Sequence, residues 1–141
     1  MKGQAVPDSD HVARYCKPTT IDEDEIQATA FMLREGEEYL CVNWLEESKS
    51  PSRASQIRDL QELYTKKLKV GSTARIAILN VGTLRTKVER ESPDSRLLRV
   101  LHEPEEPDDL SHAGIYEIRY DDEIIAELIA QVVLEKYPAR A

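Results

Sequence analysis

The chain has 141 residues, 40% of them hydrophobic and 33% charged, with a formal net charge of −8, which is enough for one domain that buries its own core. Two cysteines without a CxxC pair do not make a disulfide framework, and no apolar run approaches the ~18 residues of a membrane span. MKGQAVPDSD carries no apolar leader, so a cytoplasmic protein with reduced thiols is expected.

The charge is uneven: −6 over residues 1–52, +6 over 53–99 and −8 over 100–141. An acidic whole disfavours generic nucleic-acid coating, since that affinity comes from neutralising phosphates. The basic middle, 53–99, either pairs with the acidic ends or forms a local face for anions, nucleic acid included.

Residues 1–10 are polar and broken by Pro7, and are expected to be loosely ordered. His11 to Cys16 is a single turn or an extended segment, stopped at Lys17-Pro18 because proline disfavours the α conformation before it. Thr19 to Glu25 reads as a solvated loop. Glu25 to Glu47 then reads as an antiparallel hairpin turning at Glu35-Gly36-Glu37-Glu38, with alternating arms that hold Phe31 and Trp44. Helix competes for the short piece from Ala28 to Leu33. This ribbon is expected to seed the core.

Ser50 as cap and Pro51 at the first helical position start a helix to about Leu68, whose buried stripe is Ala54, Ile57, Leu60, Tyr64 and Leu68. Thr73 to Val81 is a nearly continuous apolar strand. Thr83 to Ser92 fits a short helix better than a strand, because Lys87, Glu89, Arg90 and Glu91 are strand-poor. Arg96 to His102 reads as a strand, and EPEEPDD, Glu103 to Asp109, as an exposed loop. A short strand follows at Ile115 to Ile118. The last helix starts at Asp121, buries Ile124, Ile125, Leu128, Ile129, Val132 and Val133, and stops at Pro138. The expected fold is α+β, a single domain over 1–141 with an antiparallel or mixed sheet of four to five strands and two main helices packed on it.

Candidate chemistry gathers on His11, Arg14, His102 and His112. In His11-x-x-Arg14-Tyr15 an imidazole, a guanidinium and a phenol suit the grip and transfer of a phosphate; the plainer alternative is an arginine paired with a carboxylate and a histidine bonded to backbone. His102 and His112 flank the acidic loop, yet no HExxH, zinc spacing or EF-hand loop is present, so neither metal nor cofactor is expected. Cys16, near His11 and Arg14, fits a small buried hydrophobe. Asn80-Val81-Gly82-Thr83 offers N–H groups to an anion, but a lone glycine falls short of a phosphate loop.

HVARYC, YLCVNWLE and SHAGIY together resemble a group of small bacterial cytosolic proteins without an assigned activity. The resemblance runs from His11 to the last helix and implies no catalytic or binding residue. Two expectations for function follow. The first is a small acidic interaction or adaptor protein that binds a protein partner, encoded in an operon with it, with no membrane role. The second is a small enzyme acting on a phosphate-bearing substrate, a nucleotide or RNA, through His11, Arg14, His102 and His112 in one pocket.

Overall fold

A computed structural model describes residues 2–141. Strand β1 (His11–Cys16) leads into a two-stranded ribbon of β2 (Ile21–Asp22) and β3 (Glu25–Ile26), a 3-10 turn at Ala28–Phe31 and β4 (Leu40–Trp44). Helix α1 (Arg53–Lys67), β5 (Arg75–Asn80) and α2 (Val81–Glu91) follow, then β6 (Arg99–His102), β7 (His112–Tyr116), α3 (Glu123–Ala130) and β8 (Glu135–Pro138). Six strands form one sheet in the order β6-β7-β4-β1-β5-β8, and every pairing in it is antiparallel.

The fold is α+β as expected, but the sheet has six strands rather than four or five, and three helices rather than two pack on it. Alternation along the strands sends side chains to two faces. One face takes α1: Ile57, Leu60 and Tyr64 pack with Ala13, Ile76 and Ile78. The opposite face takes α2 and α3, where Leu84, Val88, Ile125 and Ile129 meet Val12, Leu79 and Ile115. The result is a sheet with a helical layer on each side.

Three local expectations are corrected. The stretch before Gly36 is not the arm of a hairpin: Ala28–Phe31 coils into a 3-10 turn that puts Ala30 and Phe31 into the core, and β4 pairs instead with β1 and β7. Six residues carried too little period to decide, and burial of the one phenylalanine decided it. The last helix ends at Ala130, short of Val132 and Val133. The chain then turns back, Leu134 N–H bonds Ile78 O at 2.8 Å, and 135–138 adds an edge strand to β5. Pro138 therefore ends an edge strand, where a missing N–H is tolerated, and does not stop a helix. Ser52, not Ser50, caps α1, its side chain accepting from Ser55 N–H. The segment 81–91 is helical, with Asn80 as its cap.

The N-terminal segment lies along β6. Gly3 N–H bonds His102 O at 2.7 Å, Val6 N–H bonds Val100 O at 2.9 Å, and Val6 is buried. Among the described residues no helix is long and apolar enough to cross a membrane.

Charge pairing across the chain follows the self-neutralising alternative. Arg53 meets Glu135, Arg75 meets Asp24, Arg85 meets Asp8, Arg96 meets Asp122 and Arg99 meets Glu117. Each joins the basic middle to an acidic end. Exposed pairs of this kind contribute little stability singly; their effect is to neutralise part of the basic middle.

Candidate functional site: a cleft where the sheet forks

β1 and β4 pair only at Val12↔Trp44 and Ala13↔Asn43. Beyond Ala13 they part, while β1 stays paired with β5 as far as Cys16 and β4 with β7 as far as Leu40. The central sheet thus splits like a fork. A cleft of about 430 Å³ opens there, lined from one face by Tyr15, Tyr64 and His112 and from the other by Arg14 and Ala30. That volume lies within the usual range for ligand sites, roughly 300–1,000 Å³.

Arg14 spans the fork. Its Nε donates to Ala30 O and a terminal nitrogen donates to Cys41 O, both at 2.9 Å. Among the described residues no carboxylate lies within ion-pair distance of it. Burial pulls its pKa below the ordinary arginine value, against the opposing pull of Cys16, Cys41, Glu37 and Tyr64. Half-buried, Arg14 loses part of its hydration without gaining a counterion, and a bound anion would offset that loss.

Main-chain groups also face the cleft. In an antiparallel strand the N–H and C=O of successive residues turn to alternate sides. Trp44 N–H reaches Ser111 O on the β7 side at 2.8 Å, so Cys41 and Asn43 turn towards β1. His11 N–H reaches Glu46 Oε1 at 2.8 Å on the β4 side of β1, so Ala13 and Tyr15 turn towards β4. Asn43 meets Ala13 in register. Tyr15 and Cys41, the next residues in that alternation, face each other across the opening instead of pairing.

The wall on the α1 side is a connected polar network. Tyr64 donates to Asn43 Oδ1 at 2.8 Å, and Asn43 Nδ2 donates to Asp109 Oδ1 at 2.8 Å and Ser111 Oγ at 2.9 Å. Lys67 Nζ closes it on Asp109 Oδ2 at 2.6 Å and Glu105 Oε1 at 3.3 Å. Partial burial opposes the Lys67 charge, but the hydrogen bonds and charges of Asp109 and Glu105 outweigh it and raise its pKa. Burial, reinforced by the charge on Asp109, drives the Tyr64 hydroxyl well above the usual phenol range, so it stays a donor.

Glu105, Asp109 and His112 bring ligand atoms within 4.8 Å of one another, a spacing suited to a metal. The Lys67 ammonium, bonded to both carboxylates, already supplies the positive charge there. The set reads as a lysine site.

Of the four residues singled out from the sequence, Arg14 and His112 line this one cleft. His112 Nδ1 lies 3.0 Å from Glu103 O, so it donates there and leaves Nε2 as the acceptor in the neutral ring. His11 and His102 do not line the cleft. His11 Nδ1 pairs with Glu46 Oε2 at 2.7 Å. His102 packs edge-on against Trp44, with centroids 5.1 Å apart, and its Nε2 meets Leu110 O at 2.7 Å. The four residues therefore do not gather in one pocket: β1 sends His11 to one end of the sheet and Arg14 to the fork. Cys16 is buried, and burial pushes its thiol up to about 12. At Asn80–Thr83 the Asn80 side chain takes Thr83 N–H and Asp8 O takes Gly82 N–H, which leaves no anion cradle.

Sequence reasoning missed Tyr64, Lys67 and Cys41. Tyr64 and Lys67 belong to a helix whose pattern shows only a buried stripe, and Cys41 matters through its backbone. Compared with family models, curated proteins and solved structures, the chain matches none.

Proposed function

We propose that this protein works by binding, and that the fork between β1 and β4 receives a ligand whose anionic group meets Arg14. The observation that carries this reading is a partly buried guanidinium, held by two backbone carbonyls and without an ion pair, in a cleft of ligand size. It keeps the binding role expected from the sequence and moves it from the acidic ends to the centre of the sheet. Titrating the protein with acetate, inorganic phosphate and adenosine monophosphate, followed by NMR, tests it. Saturable shifts are expected at the Arg14 Nε–H and the Cys41 amide for at least one of these anions, and the Cys41 shift should vanish in Arg14→Met. Linear drifts spread over the surface would reject the reading.

A second reading, an enzyme acting on a phosphate ester, is favoured by one observation: His112, with an acceptor nitrogen, lines the same cleft as Arg14. It requires turnover of a phosphate ester that His112→Gln abolishes while phosphate binding persists.

A further inference from the structure

The cleft's charge is close to that of a single cation. Lys67 is held by Asp109 and Glu105, and Arg34 lies against Glu37 at 3.4 Å, while Lys17, also in the lining, sits at the solvent-exposed mouth. Arg14 remains as the uncompensated charge of the interior, with two of its donor positions committed to backbone carbonyls. One guanidinium edge matches a monoanionic carboxylate better than a dianionic phosphate, which recruits several cations.

The rest of the cleft is built for main chain. Tyr15 turns its backbone groups, and Cys41 its N–H, into an opening between two strands, the Cys41 carbonyl being held by Arg14; such edges complement a third extended chain. Leu68, 43% exposed, and the partly buried Met32 add apolar surface to the lining. An exposed large apolar side chain at a cleft is a contact surface for another apolar group.

We propose that the fork takes the C-terminal end of an extended peptide: its carboxylate meets Arg14, its main chain bonds the Tyr15 edge and the Cys41 N–H, and its last side chain lies against Met32 and Leu68. This rests on the reading that Arg14 receives an anion, and it names the partner as a protein or peptide with a free, apolar C-terminus. It is strand addition inside a sheet, at the point where the sheet has been left open.

The test uses the full chain and acetylated tripeptides, Ac-Ala-Ala-Leu and Ac-Ala-Ala-Phe, each as the free acid and as the C-terminal amide. The acids are expected to bind and the amides to bind about tenfold or more weaker, with slowed hydrogen exchange at the Tyr15 and Cys41 amides in the bound state. Arg14→Lys should retain part of the preference for acid over amide, and Arg14→Met should abolish it. Equal binding of acid and amide, or unchanged exchange at Tyr15 and Cys41, overturns the proposal. If phosphate or adenosine monophosphate binds at Arg14 and no peptide does, the peptide assignment falls alone. If no anion binds, both readings fall together.

Discussion

Removing the Arg14 guanidinium takes away more than a charge. Ala30 O and Cys41 O would each lose a donor at 2.9 Å, and an acceptor stranded in a partly buried place costs about 1–3 kcal/mol. Arg14→Met is therefore expected to lower the unfolding free energy by about 2–4 kcal/mol in urea titration, in addition to its effect on binding. A loss below about 0.5 kcal/mol would mean that water replaces both bonds. Gly114 makes a second test at this scale. A Cβ there would stand 2.2 Å from Cδ1 and 2.6 Å from Cγ of the Tyr39 ring, so the ring must move. Gly114→Ala is expected to cost about 1–3 kcal/mol through overpacking, and to disturb Tyr116, whose ring lies 4.9 Å from that of Tyr39. An unchanged urea midpoint would show that Tyr39 shifts freely. Neither effect was legible locally. Arg14 stood out in HVARYC as a functional residue, but its acceptors lie 16 and 27 residues away in sequence, and no spacing rule points to them.

Elements differ in how much they owe to their own sequence. α1, α2 and β5 are formed by local pattern and caps, and they are where the sequence indicated them to within a few residues. The stretch at Ala28–Phe31 and the strand at 135–138 are decided by partners: one is drawn in by the core against α3, the other by the open side of β5. Buried and half-buried thiols and hydroxyls make a prediction about alkaline pH. Burial pushes Cys16 up to about 12 from its ordinary 9.0, and also raises Tyr39 to about 12 from 10.0, with Tyr64 higher still. The folded state thus holds these protons after the unfolded state has released them. Their stabilisation is complete below about pH 9 and is lost as pH rises towards about 12, with a slope of about 1.4 kcal/mol per pH unit for Cys16 alone. Urea midpoints at steps from pH 8 to 11 should fall throughout that window, beginning later in Cys16→Ala. A flat profile to pH 11 would show that Cys16 ionises in the fold.

For the molecule as a whole, the arrangement of sheet edges matters most. β6 is covered by residues 3–6, whereas β8 lies at the rim with Glu135, Lys136 and Pro138, the charged and proline residues that discourage pairing with another chain. A chain lacking residues 1–6 would lose the burial of Val6, roughly 1.5–3 kcal/mol, and would present β6 bare. Sedimentation velocity is expected to show self-association of the truncated protein under conditions where the full chain is a single species. A truncated chain that sediments as the full one does would mean that β6 needs no cover. At the same scale, Arg53, Arg75, Arg85, Arg96 and Arg99 of the basic middle tie it to the acidic ends through Glu135, Asp24, Asp8, Asp122 and Glu117.

Because the opening lies between the two central strands, whatever occupies it would add to the strand pairing between the halves β6-β7-β4 and β1-β5-β8, now limited to two residue pairs on one side of the gap. Occupancy and resistance to unfolding are then one quantity measured twice. A ligand at a hundred times its dissociation constant would add about 2.7 kcal/mol to the unfolding free energy, so heating the protein with candidate compounds is itself a screen, and the melting point is its readout.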